Sequence, residues 1–479
     1  MPALFVNNNY KSQSARFLGI LFKIFFVSLV LQIFLLPLTL KIFGTVGLWF
    51  PLNVFWLPLL GFVVLPFSFI TLLLLALPFD CAHDLAGYCL EIAGFPVSWL
   101  LDILDWLHSG QFLSEPVFLR PHWTALFAYA MIFAAFAFLA KLWKQNCRER
   151  KELNPVRFSR HSLYALIFSK KRNSPSSALA VSSPRGRNET ATITFLCLGL
   201  VFLAIGPLLR LERYFASDPV LEVLDVGQGQ AILLHFGRHG KILVDGGGMS
   251  SERFEPGKAI LTPILTDNHA PYLTAIINSH PDLDHLGGLI YPIKHLNFQK
   301  QFHNGYAANG VLHDKWESLK NKPNSFVLRA GDTVRMAGSG YYLEALAPLS
   351  DTYPLSANNA SLVLRLTDGK KGLALIPGDA EKGSIKKLLD SEKYLSAQIL
   401  IAPHHGSNSS FSAKFLDKVN PELVVAACGF RNRYFYPGRK LREWTRKNGV
   451  KLLDTGESGR LGIRWDKNGK FRVEQVFRD

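Results

Sequence analysis

Phe17 to Leu40 holds a single charged side chain, Lys23. At 1.5 Å per residue, an apolar run of that length covers a ~30 Å hydrocarbon core as a helix. In lipid every backbone polar group must be paired within its own segment, so the run has little choice but to span as a helix. Three further runs have the same character. Trp49 to Leu77, broken by Pro51, Pro58 and Pro66, reads as one kinked span or as a pass with a re-entrant piece. His122 to Leu142 and Thr192 to Leu209 are each about 20 residues and nearly uncharged. Four spans are expected. A cleaved signal peptide fits the first run poorly, because the run is too long and no small-residue cleavage site precedes the next one. Leu85 to Leu107, with Trp99, Trp106 and scattered acids, has the mixed pattern of helices lying at a membrane interface.

Basic residues orient these spans. Lys144, Arg148, Arg150, Lys151, Arg157, Arg160, Lys170, Lys171, Arg172, Arg185 and Arg187 face only Glu149, Glu152 and Glu189, which puts the loop 144–190 in the cytoplasm. Ser174 to Ser183 within it reads as a low-complexity linker. The segment after the second run carries Asp80, Asp84, Glu91, Asp102, Asp105 and Glu115 before Arg120 and belongs outside. A last crossing at 191–213 then delivers everything after it to the outer face, although Arg210 and Arg213 at its outer end run against the rule. Cys81 and Cys89 fall in the outward segment and could pair there; Cys147, Cys197 and Cys428 have no metal-type spacing.

Beyond residue 213 the sequence changes character. Leu273-Thr274-Ala275-Ile276-Ile277-Asn278 reads as a strand and runs into Ser279-His280-Pro281-Asp282-Leu283-Asp284-His285-Leu286-Gly287-Gly288. Two imidazoles and two carboxylates in a turn suit a pair of borderline or hard divalent ions, which take His nitrogen and Asp oxygen together. A helix cap at Asp282 or Asp284 is the plainer alternative, and it explains one acid and neither histidine. Three other apolar runs close in the same way. One leads into Asp245-Gly246-Gly247-Gly248, one into Gly378-Asp379, and one into Pro403-His404-His405-Gly406. A lone Gly-Asp is usually a turn, but four strand ends sharing one chemistry are not four coincidental turns.

In this order the motifs resemble the metallo-β-lactamase fold, an α/β, αββα sandwich with ligands on loops along one edge. With Leu224-Asp225-Val226-Gly227-Gln228-Gly229-Gln230 and Asn359-Ala360-Ser361 added, they resemble the C-terminal domain of the ComEC family, the inner-membrane DNA-uptake channel proteins of natural transformation. The resemblance implies a membrane region over 1–143, the basic loop 144–190, a last transmembrane helix over 191–213 and a metallo-β-lactamase-like domain over 214–479. It implies two divalent ions, Mn or Zn. His280 and Asp282 would hold one and Asp284 and His285 the other, with Asp379 bridging and His404 or His405 completing the set. Asp284, His285 and His405 are also the catalytic candidates. The superfamily's third histidine has no clear counterpart, since His295, His303 and His313 follow no convincing strand and read as surface residues. Asp245 either braces the ligand loop or is a turn acid, and Gln228 holds the glycine turn beside the site. Two departures from the family matter: Gln230 stands where an acid is usual, and Tyr436 where a histidine is usual. A third departure is that the oligonucleotide-binding-type domain and most of the membrane channel of a full-length member are missing; the partners the resemblance implies are DNA, the membrane, other competence proteins and a partner chain that supplies the missing channel helices.

Net charge is +16, and Arg439, Lys440, Arg442, Arg446 and Lys447 oppose a single acid, Glu443. Such a stripe either tracks a DNA backbone without regard to sequence or faces anionic lipid and solvent. Phe430, Tyr434, Phe435 and Tyr436 interleave with Arg431 and Arg433 and could stack single-stranded bases or belong to the core. The expected function is DNA internalisation, with the outer domain a metal-dependent nuclease on the strand that is not transported. The alternatives are a cell-surface phosphodiesterase of the same fold and a non-catalytic channel subunit or fragment that grips DNA.

Overall fold

The computed structural model describes residues 8–46, 50–109, 116–153, 184–216, 218–248, 254–308, 310–349, 356–391 and 393–476. Its two compact units cover residues 1–118 and 119–479. Much of the basic loop, including Arg157, Arg160, Lys170, Lys171, Arg172 and the low-complexity stretch, lies outside the described residues.

The first unit is helical: α1 (Asn8–Phe43), α2 (Asn53–Leu59), α3 (Leu65–Leu75) and α4 (Asp80–Ser109). A π-helical segment, Leu60–Val64, joins α2 to α3. The proline-broken run is therefore one continuous span. Its prolines remove ladder donors, and the local change of helical pitch absorbs the loss. Thr71 Oγ1 donates to Phe67 O at 2.8 Å and lies 3.4 Å from Ala86 O, tying α3 to α4.

Five helices among the described residues are long and apolar enough to cross a membrane: Leu18–Phe43, Phe55–Leu75, Asp80–Leu107, Thr124–Arg148 and Asn188–Phe215. The sequence pattern suggests four. The additional helix is the one read as interfacial, whose acids lower its mean hydropathy to 1.3 against 2.0 to 2.4 for the others. Pairing of Cys81 with Cys89 is excluded. Both are free, and eight residues of one helix separate them by about 12 Å, beyond disulfide reach.

The second unit, residues 119–479, contains, together with the sheets, two long helices, α5 (Thr124–Leu153) and α6 (Pro184–Phe215). They pack through small residues: a methyl added at Gly199 would come within 2.9 Å of Ile132 and 3.2 Å of Ala128 O. Phe138 stacks on Phe195 alongside, at 5.6 Å. At one end of the pair, Arg120 N donates to Thr266 O (2.9 Å), Asn268 N to Arg120 O (2.8 Å) and Asn268 Nδ2 to Gly206 O (3.1 Å).

Two sheets follow. The first, in the order β15-β14-β1-β2-β3-β4-β5-β6, comprises β1 (Val220–Val223), β2 (Ile232–His235), β3 (Lys241–Val244), β4 (Tyr272–Asn278), β5 (Asn297–His303), β6 (Ser325–Val327), β14 (Arg460–Trp465) and β15 (Phe471–Val476). The second, in the order β13-β12-β11-β10-β9-β8-β7, comprises β7 (Thr333–Arg335), β8 (Tyr342–Ala347), β9 (Val363–Thr367), β10 (Gly372–Ile376), β11 (Ile399–Ile401), β12 (Leu423–Ala426) and β13 (Lys451–Asp454). Leu221, Val244, Ile277, Leu364, Ile376 and Ile401 are among the residues that fill the core between them. A second core under the outer helices includes Leu375, Leu400 and Val424. β10 and β11 are buried at every position, as strands covered on both faces must be. β3 pairs β4 in parallel and β10 pairs β11 in parallel, so each pair ends at one edge of its sheet. Leu362 N donates to Ser279 O at 2.9 Å, joining the two edges.

Candidate metal centre

The four strand ends lie along the joined edges of the two sheets. Asp245 follows β3, Ser279 and His280 follow β4, Asp379 follows β10 and His404 and His405 follow β11. Asp284, His285, Asp379 and His405 each offer a ligand atom within 4.8 Å of the others. Asp379 is shared between two sides. Its Oδ1 lies 3.0 Å from His285 Nε2 and 3.7 Å from His405 Nε2, while its Oδ2 lies 3.6 Å from His404 Nε2 and 3.9 Å from His280 Nε2. Asp282 Oδ2 stands 3.6 Å from His280 Nε2 on that second side. The helix-cap reading fails, since Asp282 precedes the helix Leu283–Leu286 with no capping hydrogen bond from its side chain.

Buried polar atoms without partners are costly and ask for an explanation. Here Nε2 of His280, His285 and His405 and Oδ1 of Asp379 are all buried and make no hydrogen bond. Three of these atoms gather at Asp379 Oδ1 and His280 Nε2 faces the other oxygen of the same carboxylate, an arrangement that suits divalent cations. The carboxylate and imidazole set has the donor chemistry of a divalent-metal site.

Neighbouring groups aim those nitrogens, with tautomers assigned from the hydrogen-bond network. Asp245 is fully buried and accepts from His285 Nδ1 (2.8 Å), Ser279 Oγ (2.7 Å), Ser279 N (2.7 Å) and Gln230 Nε2 (2.9 Å). Because the Ser279 hydroxyl hydrogen goes to Asp245, its oxygen can accept from His280 Nδ1 at 3.0 Å. His405 Nδ1 donates to Ala427 O at 2.8 Å. Each of the three Nδ1–H groups is thus occupied, which leaves each Nε2 lone pair for the centre. Asp245 makes these contacts as a brace. The sequence gives no sign of Ser279 as a relay, since serine is common at strand ends. Gln230 serves the centre as well: as a donor to Asp245 it avoids placing a second buried carboxylate there.

His404 and His405 adopt left-handed φ values of 52° and 58°, uncommon for residues other than glycine and concentrated at functional sites. His404 N donating to Gly378 O at 3.0 Å helps hold the turn. Gly229, at φ 119°, packs against the carbonyl of Asp284, where an added methyl group would collide with it. Gln228 Oε1 accepts from Gly429 N at 3.4 Å and so joins this turn to the loop after β12.

Burial alone would lower the His285 pKa, yet Asp379 and Asp245 override it and raise it well above its ordinary value. His405 is raised in the same way by Asp379 and Asp284 against its burial. Asp379 is held well below the carboxylate range despite burial, by His285 and His405. Protons compete with a metal ion for these nitrogens, so uptake tightens as pH rises.

The other histidines stay away from the centre. His303 ends β5 and is buried rather than on the surface; its Nδ1 accepts from Gly305 N (3.0 Å), its ring meets Trp316, and burial with Lys320 and Arg329 lowers its pKa to about 4. His295 stacks on Tyr291 and His313 Nδ1 pairs with Ala308 O. Tyr436 flanks the centre, its ring 6.1 Å from His405 and 6.2 Å from His404. The helix Arg439–Lys447 begins beside the histidine turn, where Gly438 N donates to Gly406 O at 2.8 Å. All five of its basic residues are exposed, but Arg439 pairs with Glu443 (2.6 Å) and Arg442 Nε donates to Pro437 O (2.8 Å), leaving Lys440, Arg446 and Lys447 as the more available charges.

Facing sheets with a His/Asp cluster on their joined edges define a metallo-β-lactamase domain, and residues 224–429 match the metallo-beta-lactamase superfamily. Residues 3–144 match the family described as competence protein. Together the two matches and the curated relatives make the chain similar to the ComEC family of competence proteins. It is 25% identical to ComE operon protein 3 of Bacillus subtilis (strain 168) over 58% of this chain and 36% of that protein. With competence protein ComA of Neisseria gonorrhoeae identity is 29%, over 63% of this chain and 40% of the relative. With YcaI of Escherichia coli (strain K12) it is 26%, over 60% and 35%. The chain thus spans about two fifths or less of the length of these curated relatives.

Proposed function

We propose that the chain serves DNA internalisation from the inner membrane, and that its metal domain, on the outer face, is a divalent-metal phosphodiesterase acting on the strand that is not transported. The observation that carries this reading is the convergence of orphaned Nε2 and carboxylate atoms in a domain joined to apolar helices of a competence family. Asp284, His285, Asp379 and His405 would hold one ion, and His280, Asp282 and His404, with Asp379 shared, a second. When bound, divalent ions supply an activated water near neutral pH and polarise a phosphoryl oxygen. The chain's own contribution is orientation. Asp245, Ser279 and Ala427 O hold the imidazoles in one tautomer, and the rings of His404 and Tyr436 form a wall against which a phosphodiester can rest. The full chain in detergent should cleave DNA with Mn²⁺ and lose that activity with chelator. Cleavage of bis-p-nitrophenyl phosphate without cleavage of single-stranded or duplex DNA would point to a different phosphodiester.

Orientation rests on the last basic loop and α6, so the fifth apolar helix upstream leaves it unchanged. A phosphatase reporter fused after Leu211 should be active outside the cytoplasm and one near Ser176 silent. The reverse pattern would place the domain inside the cell.

Lys440, Arg446 and Lys447 supply charges to the DNA backbone in this reading. Neutralising all three should weaken DNA binding regardless of sequence and flatten the plot of log affinity against log salt by about 0.7–0.9 for each phosphate that no longer meets a cation. Unchanged DNA affinity with reduced binding to anionic vesicles would assign the stripe to lipid.

A further inference from the structure

The loop between β12 and the basic helix exposes aromatic rings beside the centre. Phe435 is 85% exposed, Phe430 52% and Tyr434 47%. Burying apolar surface is the rule for rings of this size, and a bulky residue at left-handed φ is an outlier, yet Phe435 sits at φ 58° and Arg431 at 49°. Asn432 holds the loop in this shape: its Nδ2 donates to Gly429 O (3.1 Å) and Tyr436 O (2.9 Å), and its Oδ1 accepts from Tyr436 N (2.8 Å). A loop pinned from within around exposed, backbone-strained residues is organised for display.

The rings also lead somewhere. Tyr434 stacks on Tyr436 at 5.4 Å and 20°, and Tyr436 on His405 at 6.1 Å and 27°, a continuous ladder from the surface to the metal ligands. Guanidinium groups accompany it. Arg433 lies over Tyr434 at 4.8 Å and donates to its hydroxyl (2.6 Å), and Arg431 lies over Phe430 at 5.1 Å. Aromatic faces alternating with cations match a chain whose flat bases alternate with phosphates.

We propose that Phe435, with Arg431 and Arg433, is a base-stacking platform for an unpaired nucleic-acid strand whose neighbouring phosphate reaches the metal centre. The inference rests on the phosphodiesterase reading and narrows it: a base in a duplex is covered on both faces by its neighbours, so the platform takes single strand. An aromatic, basic loop also suits a bilayer surface. The ladder favours nucleic acid, because insertion into lipid would not require rings stacked inward as far as a metal ligand.

The test uses the full chain in detergent with chelator, so that nothing is cleaved, and measures fluorescence anisotropy with a labelled thymidine oligomer and an abasic oligomer of equal length and charge. The wild type should bind the thymidine oligomer about tenfold or more tightly than the abasic one. Phe435→Ala should remove most of that ratio by weakening only the thymidine complex, and Phe435→Trp should keep it. Equal wild-type affinities for both oligomers would overturn the platform, as would Phe435→Ala weakening both alike. Loss of binding to phosphatidylglycerol vesicles with an unchanged oligomer ratio would overturn it in favour of lipid. Wild-type turnover of bis-p-nitrophenyl phosphate with Mn²⁺ reports separately on hydrolysis. Turnover without base preference rejects the platform alone, and base preference without turnover supports the platform while rejecting the hydrolase.

Discussion

Asp379→Asn should strip the centre of metal and reduce metal-dependent phosphodiester hydrolysis by about a thousandfold, the several kcal/mol expected of Lewis-acid and water activation combined. The expectation follows from its two oxygens facing different histidine pairs, Oδ1 toward His285 and His405 and Oδ2 toward His280 and His404. An amide keeps the shape but replaces one acceptor with a donor and removes the charge that both sides share. Asp284→Ala is the informative companion. It touches only the His285 and His405 side, so elemental analysis should find one ion lost there and both lost in Asp379→Asn. Wild-type metal content in Asp379→Asn would reduce Asp379 to a turn residue.

Asp245→Ala should act from one layer further out. Removing a fully buried acceptor takes from His285 Nδ1–H, the Ser279 hydroxyl, Ser279 N–H and Gln230 Nε2 the carboxylate to which they donate. A loss of roughly 3–5 kcal/mol of stability is expected, the range for breaking a buried charged network. Affinity for Mn²⁺ should fall about 10–100-fold, as when the partner of a ligating histidine is removed. Asp245→Asn separates the two effects: it fills the same space and costs less stability, but its amide serves His285 poorly and metal affinity should still drop. Thermal melting and a metal titration read them independently, and wild-type affinity in both variants would show that the imidazoles are held by other means.

The candidate ligands were legible in the sequence because each ends an apolar run. A strand leaves its sheet where the apolar pattern stops, and the next residues occupy the sheet's edge, so Asp245, His280, Asp379 and His405 could be placed from the pattern around them. What the pattern could not carry was anything formed by residues distant in the chain. Ala427 O holds His405 from just past the end of the neighbouring strand, and Ser279 passes a hydrogen bond from His280 to Asp245, yet neither residue type stands out. The helix Asp80–Leu107 was misleading for a different reason: its acids imitate a surface helix although its overall hydropathy still suits a crossing. His303 misled in the opposite sense, reading as a surface residue because the polar run Gln299, Lys300 and Gln301 interrupts the apolar pattern of its strand before Phe302.

The paired helices α5 and α6 enter the same compact unit as the sheets, and the chain is stitched at Arg120, Thr266 and Asn268 as well as through Gly206. A domain hung from one helix can swivel about that axis and search a volume. One seated on a two-post bracket has lost that freedom and holds a set bearing relative to α5 and α6. Under the proposed phosphodiesterase reading, the metal edge would be a stationary blade rather than a roving one, and a strand cut there would have to be fed past it by something else that moves.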